Sequence, residues 1–314
     1  MKRIIKQILI SILVIFLIVL GYFVFTVARN LGQINSGGSE EIPLDLTKNV
    51  NILLLGTDQR IKDEPSRSDT IILVNINPET KKINMISIPR DTRVNIPGHG
   101  YDKINSAFNS LYFEDGGVNL TIKSVESLMG LPEGSIKYFA IANFKGFEKV
   151  IDAIGGVTIE VEKRMVYYSN EGDVVIDLKP GVQHLDGEKA LEYARYRNDG
   201  YGDFAVDEKG NVYGRISRQQ KLIKAIIDQT KDLRTLWKFP AISKAVGEAL
   251  DTNLTPSQIT KLALMLKDTT SADLNVIPFP GVPDFVDSIS YVIPELDKLQ
   301  GIGKDYFSIE EAGS

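Results

Sequence analysis

Hydrophobic positions divide the chain into one long apolar run and a series of short ones. Ile8 to Val27 carries no charge and is almost wholly apolar. About 20 residues at roughly 1.5 Å rise span about 30 Å, the hydrocarbon thickness of a bilayer. Lys2, Arg3 and Lys6 precede the run, which predicts a cytoplasmic N-terminus and an external remainder. A cleaved signal peptide would have an apolar region of about 7–15 residues, so the longer run reads as an uncleaved anchor. Residues 28–48 follow as an external linker, with Asn35-Ser36-Gly37-Gly38-Ser39-Glu40-Glu41 at their centre.

Beyond the linker the period alternates between that of strands and that of helices. Val50–Leu55, Thr70–Ile76 and Lys82–Ile88 are β-rich runs, and Asn77-Pro78-Glu79-Thr80 between the last two reads as a hairpin turn. Gly117–Met129 has apolar residues at helical spacing and ends at Gly130. Tyr138–Ala142 predicts a strand, Phe144–Ile154 a helix stopped by Gly155-Gly156, and Val157–Val161 and Val174–Leu178 further strands. Asp186 caps a helix reaching about Tyr196, and Arg218–Lys231 forms another. Thr255-Pro256-Ser257-Gln258 has the capping-box pattern ahead of Ile259–Leu266, and Leu274–Pro278 reads as a late strand. The expected fold is α/β, a mixed central sheet flanked by helices, with one N-terminal transmembrane helix.

Composition narrows the chemistry. There is no cysteine, and the only histidines are His99 and His184. Thiol nucleophiles, disulfide frameworks and iron–sulfur clusters are excluded, and a multi-histidine metal site is disfavoured. Residues 1–29 hold four basic residues and no acid, which leaves 32 basic against 41 acidic residues in the rest. An acidic main domain is a poor partner for nucleic acid. Walker A, G-x-S-x-G and H-E-x-x-H signatures are absent.

Charged clusters instead sit at the ends of the expected strands and helices. They are Gly56-Thr57-Asp58-Gln59-Arg60, Ser66-Arg67-Ser68-Asp69-Thr70, Ile88-Pro89-Arg90-Asp91-Thr92, Asp102-Lys103-Ile104-Asn105, Tyr193-Ala194-Arg195-Tyr196-Arg197 and Gly214-Arg215-Ile216-Ser217-Arg218-Gln219-Gln220. Singly, each reads as a surface salt bridge or turn. Together, carboxylates near strand ends suit a hard oxygen-liganded cation, and several arginines suit bidentate grip on phosphate. That combination serves phosphoryl chemistry.

In this order the clusters resemble the LytR-CpsA-Psr family of cell-wall proteins, from about Asn49 to Asp232, with Tyr291-Val292-Ile293-Pro294 resembling the family's late strand. The resemblance implies a catalytic domain over 49–232 and a C-terminal extension, 233–314, packed on it. It implies a membrane-anchored extracellular phosphotransferase. Such an enzyme moves an anionic glycopolymer (wall teichoic acid, capsule or similar) from a polyprenyl-pyrophosphate carrier to peptidoglycan, with Mg2+ or Mn2+ as cofactor. Asp58 and Asp69 fall on the family's metal-binding aspartates. Arg67, Arg90 and Arg215 fall on pyrophosphate-binding positions, and Lys123 on a helix lysine near the phosphates. Arg195, Arg197 and Gln219 fall on later positions of the catalytic set. Asp203 is the leading candidate for the base, with Asp91 second. The polar insertion Ala205–Tyr213 leaves Asp199 and Asp207 as rivals for the acidic position. Alternatives are a non-catalytic carrier-pyrophosphate binder and a membrane-bound transcriptional regulator; pyrophosphate hydrolysis is a possible side activity. The polyprenyl tail needs an apolar groove, for which helix Gly117–Met129, segment Phe139–Val150 and helix face Leu222–Ile227 are the candidates.

Overall fold

A computed structural model describes residues 35–36, 42–57, 67–168, 175–197, 205–206, 212–230, 250–266 and 268–309. The apolar run 8–27 lies outside them. Among the described residues no helix is long and apolar enough to cross a membrane.

The centre is a mixed sheet. Its strands are β1 (Val50–Thr57), β2 (Ser68–Ile76), β3 (Ile83–Ile88), β6 (Tyr138–Asn143), β11 (Leu250–Thr252) and β12 (Leu274–Ile277). Across the sheet the order is Asn35–Ser36, β11, β6, β1, β2, β3, β12. The β6–β1 and β3–β12 pairs are parallel, whereas β1–β2 and β2–β3 are antiparallel. The turn between β2 and β3 closes with Asn77 N donating to Lys82 O at 3.0 Å. Asn77 Oδ1 also accepts from Thr80 N, the side-chain turn chemistry that favours asparagine there.

Strand alternation sends side chains to both faces, and both faces are covered. Leu53, Leu55, Ile71, Leu73, Ile86 and Ile88 join a cluster with Leu120, Val125, Leu128 and Met129 of α1 (Val118–Met129) and with Leu299 and Phe307 of α6 (Leu296–Phe307). On the other face Val50, Ile52 and Ile76 pack with Leu254 and with Leu262 of α5 (Pro256–Met265). Ile72, Met85 and Leu274 meet Ile223 and Ile227 of α4 (Arg215–Thr230) there. Near-continuous apolar strands are what a sheet buried on both faces requires.

A further apolar cluster is built from α2 (Phe144–Ile154), β7 (Val157–Val161), β8 (Met165–Tyr168), β9 (Val175–Leu178), β10 (Gly181–Leu185), α3 (Gly187–Arg195) and Leu222 of α4. Asn143 caps α2 by accepting from Gly146 N, and Asp186 caps α3 by accepting from Lys189 N.

Several elements differ from expectation. Helix α4 starts at Arg215, three residues earlier than the apolar periodicity suggests. Its first residue, Arg215, is directed to the site described below, while Ile216 joins the apolar core. Helix α6 is not evident in the sequence because Gly301 and Gly303 break its apolar pattern. Gly303 is there for contact: a Cβ would stand 2.0 Å from Met129 O of α1. Strands β4 (Arg93–Ile96), β5 (Gly100–Lys103), β8, β10 and β13 (Gly281–Val286) are likewise not evident in the sequence pattern; β13 pairs with β14 (Ile289–Pro294).

A row of asparagines crosses one end of the sheet. Asn275 Nδ2 donates to Asn84 Oδ1 at 3.0 Å, Asn84 Nδ2 to Asn75 Oδ1 at 3.4 Å, and Asn75 Nδ2 to Asn51 Oδ1 at 2.9 Å. Asn51 Nδ2 then reaches Phe307 O at 2.7 Å and Ser135 O at 3.2 Å.

Candidate active site

Charged residues from three of the clusters gather at the opposite end of the sheet, where β1, β3, β6 and β12 all terminate. Carboxyl ends of parallel strands are the usual place for a ligand in such sheets. Thr57 ends β1, Ser68 and Asp69 open β2, and Arg90 and Asp91 follow β3. The N-terminus of α4 points Arg215 and Gln219 to the same place. A narrow cleft is lined by Asp69, Thr70, Ser87, Arg90, Arg215 and Gln219.

Within the cleft the charges are connected. Arg90 Nη1 forms an ion pair with Asp69 Oδ1. Arg90 Nε stands 3.7 Å from Asp91 Oδ2, and Lys103 Nζ donates to Asp91 Oδ1 at 2.7 Å. Arg215, 7% exposed, donates from Nη2 to Asp69 O at 3.0 Å. Gln219 Nε2 donates to Thr70 Oγ1 at 3.2 Å, and Gln220 Nε2 to Ser87 Oγ at 3.3 Å. Gly56 makes room for this arrangement, because a Cβ there would lie 3.0 Å from Thr70 Cβ.

Asp69, Arg90, Asp91, Arg215 and Gln219 are therefore brought together. Arg67 is exposed just before β2, and its guanidinium lies 4.9 Å from the Tyr112 ring centroid. Arg195 ends α3 and lies over Phe144, the first residue of α2, at 4.6 Å. Arg197 is exposed two residues further on. Lys123 sits on the exposed side of α1, 3.5 Å from Glu133, with no hydrogen bond or ion pair to the cleft among the described residues. Asp58 and Asp203 lie outside the described residues, as do Asp199 and Asp207.

The three candidate segments for the lipid groove lie in different apolar clusters. Helix α1 and Phe139 share the cluster beneath the cleft. Leu222 belongs to the cluster of α2 and α3, and Ile223 and Ile227 lie on the other face of the sheet.

Two residues of the motifs were not singled out from the sequence. One is Lys103. The other is Arg218, which is buried and holds the framework: Nη1 donates to Glu162 Oε1 at 3.2 Å and Nη2 to Tyr196 O at 2.6 Å. Tyr193 Oη donates to Glu162 Oε2 at 3.0 Å. Burial, together with the Glu162 charge, pushes the Tyr193 hydroxyl well above its ordinary pKa. At Glu162, burial works to raise the pKa. The backbone N–H, Lys221, Arg218 and Tyr193 outweigh it and leave the value below the ordinary one. A run of charge in the sequence does not distinguish such a buried strut from a ligand-binding arginine.

A hard cation is compatible with the cleft. Asp69 uses Oδ1 toward Arg90, and among the described residues Oδ2 has no hydrogen-bond partner. Thr57 and Ser68, both buried beside it, have hydroxyl oxygens without a partner among the described residues. Among the described residues there is no cluster of three or more histidine or carboxylate groups. A magnesium-type site, which takes one or two carboxylates and completes its shell with phosphate and water, needs none.

Comparison with known proteins gives a consistent match. The LytR_cpsA_psr family model covers residues 26–306. A protein of Oceanobacillus iheyensis named polyisoprenyl-teichoic acid–peptidoglycan teichoic acid transferase TagU is 35% identical over 259 residues, 82% of this chain and 74% of that protein. The crystal structure of TagV from B. subtilis superposes with a TM-score of 0.68 at 28% identity, covering 83% of this chain and 98% of that one. A structure of TagT (YwtF), a Bacillus subtilis protein, with bound octaprenyl pyrophosphate lipid matches with a TM-score of 0.60 at 29% identity, covering 87% of this chain and 97% of that one.

Proposed function

The chain belongs to the LytR_cpsA_psr family, and from that membership we propose that it transfers an anionic glycopolymer of the teichoic acid type from a polyprenyl-pyrophosphate carrier to peptidoglycan. The observation that carries this reading is the convergence of Asp69, Arg90, Arg215 and Gln219 on one cleft above an apolar core. The run Ile8–Val27 supports a single-pass anchor that holds this cleft outside the membrane near its lipid-linked substrate.

In this reading Arg90 and Arg215 take the pyrophosphate oxygens, with Arg67, Arg195 and Arg197 around them and Lys123 as a more distant cation. Electrostatic grip of this kind is the main contribution a protein makes to phosphoryl transfer. Asp69 and Asp58 would hold Mg2+ or Mn2+, which supplies neutralisation of phosphate charge. Gln219 fixes Thr70 and so the start of β2. A peptidoglycan hydroxyl attacks the glycan-bearing phosphorus; the new phosphodiester bond forms as the bond to polyprenyl phosphate breaks. Asp91 is poorly suited to accept the hydroxyl proton, because Oδ1 is held by Lys103 and Oδ2 faces Arg90. Asp203 is the carboxylate assigned to that step.

The test uses the full chain in detergent with a synthetic lipid-linked glycan, Mg2+ and peptidoglycan oligomers. Ligated product is expected, and Asp69→Ala should lower its rate by about two to three orders of magnitude, the scale of losing a charge-stabilising group. An unchanged rate in Asp69→Ala, or no product from the unmodified chain, overturns the reading. Release of polyprenyl phosphate without acceptor would identify hydrolysis as a side reaction.

A further inference from the structure

Four side chains at the cleft form an alternating series of charge: Lys103, Asp91, Arg90 and Asp69. Asp69 and Arg90 belong to the binding machinery. Lys103 is one step removed, and its surroundings suggest why a cation stands there.

The backbone under Arg90 is already fixed. Thr92 N and Thr92 Oγ1 both donate to Pro89 O, at 3.0 and 2.6 Å. Asn105 N donates to Arg90 O at 3.2 Å and Ile104 N to Thr92 O at 2.9 Å. From the other side, Val292 N of the C-terminal hairpin donates to Asp91 O at 2.9 Å. What the backbone does not fix is the long Arg90 side chain or the carboxylate next to it. Lys103 does this for the carboxylate. Its ammonium lies 2.7 Å from Asp91 Oδ1 and 5.7 Å from the Tyr291 ring centroid, so strand β14 buttresses it. Side-chain exposures of 25% for Lys103 and 30% for Asp91 make this a half-sheltered pair.

A guanidinium has a fixed fork of donors, and only its orientation needs to be set. Asp69 holds the Nη1 side of Arg90, where an incoming phosphate must compete. Asp91 faces the Nε side, away from that exchange. We propose that Lys103 is a positioning residue for substrate binding: by pinning Asp91 it keeps Arg90 aimed into the cleft while the Asp69 contact is exchanged for phosphate. The rotamer entropy of Arg90 is then already spent before the ligand arrives. This rests on the functional reading above only in taking Arg90 as a pyrophosphate ligand.

The test measures affinity of the full chain for octaprenyl pyrophosphate with Mg2+, together with KM and kcat for transfer. Lys103→Met is expected to weaken binding about tenfold, within the range of coupled neighbouring charges, with the loss falling mainly on KM. Lys103→Arg should recover most of it. Asp91→Asn should show a similar loss, and adding Lys103→Met to it should cost little more. Losses that multiply in the double variant mean that Lys103 acts on the ligand directly and overturn the proposal. Wild-type affinity in Lys103→Met, with the thermal midpoint also unchanged, overturns it too. If Lys103→Met folds poorly, the cycle is read from Lys103→Arg and Asp91→Asn, and failure of arginine to support binding in a stable protein overturns the idea. Arg90→Ala separates the two levels: wild-type binding there refutes the site itself, whereas its loss beside a normal Lys103→Met refutes only the role of the lysine.

Discussion

Asp69, Arg90, Asp91 and Lys103 at one end of the central sheet hold one another through ion pairs that water still reaches, with side chains 22–30% exposed. Asn51, Asn75, Asn84 and Asn275 at the other end hold one another through neutral amides, and Asn51 and Asn75 are almost fully buried. Strand β2 carries Asp69 at one end and Asn75 at the other, and β3 carries Asn84 and leads into Arg90 and Asp91. A partly solvated ion pair contributes about 1 kcal/mol or less, so a ligand of higher charge can displace it. A buried amide that loses its partner costs about 1–3 kcal/mol, so the ladder stays closed. Exchangeable polar contacts mark the cleft end, and saturated ones mark the end that fixes register.

Three substitutions or conditions can break or sharpen this contrast. The largest effect is expected from Arg90→Ala, which should lower the transfer rate by about two to three orders of magnitude while shifting stability by under about 1 kcal/mol. Steady-state transfer and urea unfolding on the same preparation check both halves; a large loss of stability would mean that the site end is structural after all. Next is Asn51→Ala, expected to destabilise by about 2–3 kcal/mol because Asn75 Nδ2, Ser135 O and Phe307 O lose their partner. Transfer per folded molecule should remain as in the unmodified chain.

The smallest effect concerns pH and lies on the ladder side. Glu126 of α1 is buried, which raises its pKa, although Ile136 N donates to its Oε1 at 2.8 Å and favours the charged form. A carboxyl raised in the folded state binds its proton more tightly there than in the unfolded chain. Its contribution is fully present below the unfolded pKa and is lost as pH rises through the folded one. Glu126→Gln should therefore remove a fall in stability that accompanies rising pH just above the ordinary glutamate range, without altering transfer, read from unfolding midpoints at a series of pH values.

Much of this was legible in the sequence where a single local rule decided the outcome. Phe144–Ile154 has a strong apolar face and a glycine stop, and it is a helix over those residues. Capping residues Asp186 and Thr255 bond as their type requires. Motif order pointed to Asp69, Arg90, Arg215 and Gln219 together. Illegible features depend on partners distant in sequence. Gly303 reads as a helix breaker until the carbonyl of Met129 is placed against it. Hairpin 281–294 has an exposed Val282 and Phe285 and no clean alternation, so it resembles a loop. Arg218 and Arg215 stand three residues apart on the same helix, yet one serves Glu162 and the other Asp69. Lys103 acquires its role only when β14 arrives beside it.

That late arrival has a kinetic consequence. A chain is made from its N-terminus, and contacts between residues far apart in sequence form slowly because loop closure must come first. Strand β12 pairs with β3, Phe307 O meets Asn51 and Val292 N meets Asp91 only after the chain has been made through those late residues. The segment from β12 to α6 thus closes both ends of the sheet at once, and a nascent chain that stops short of it would carry Arg90 and Arg215 without the frame that aims Arg90.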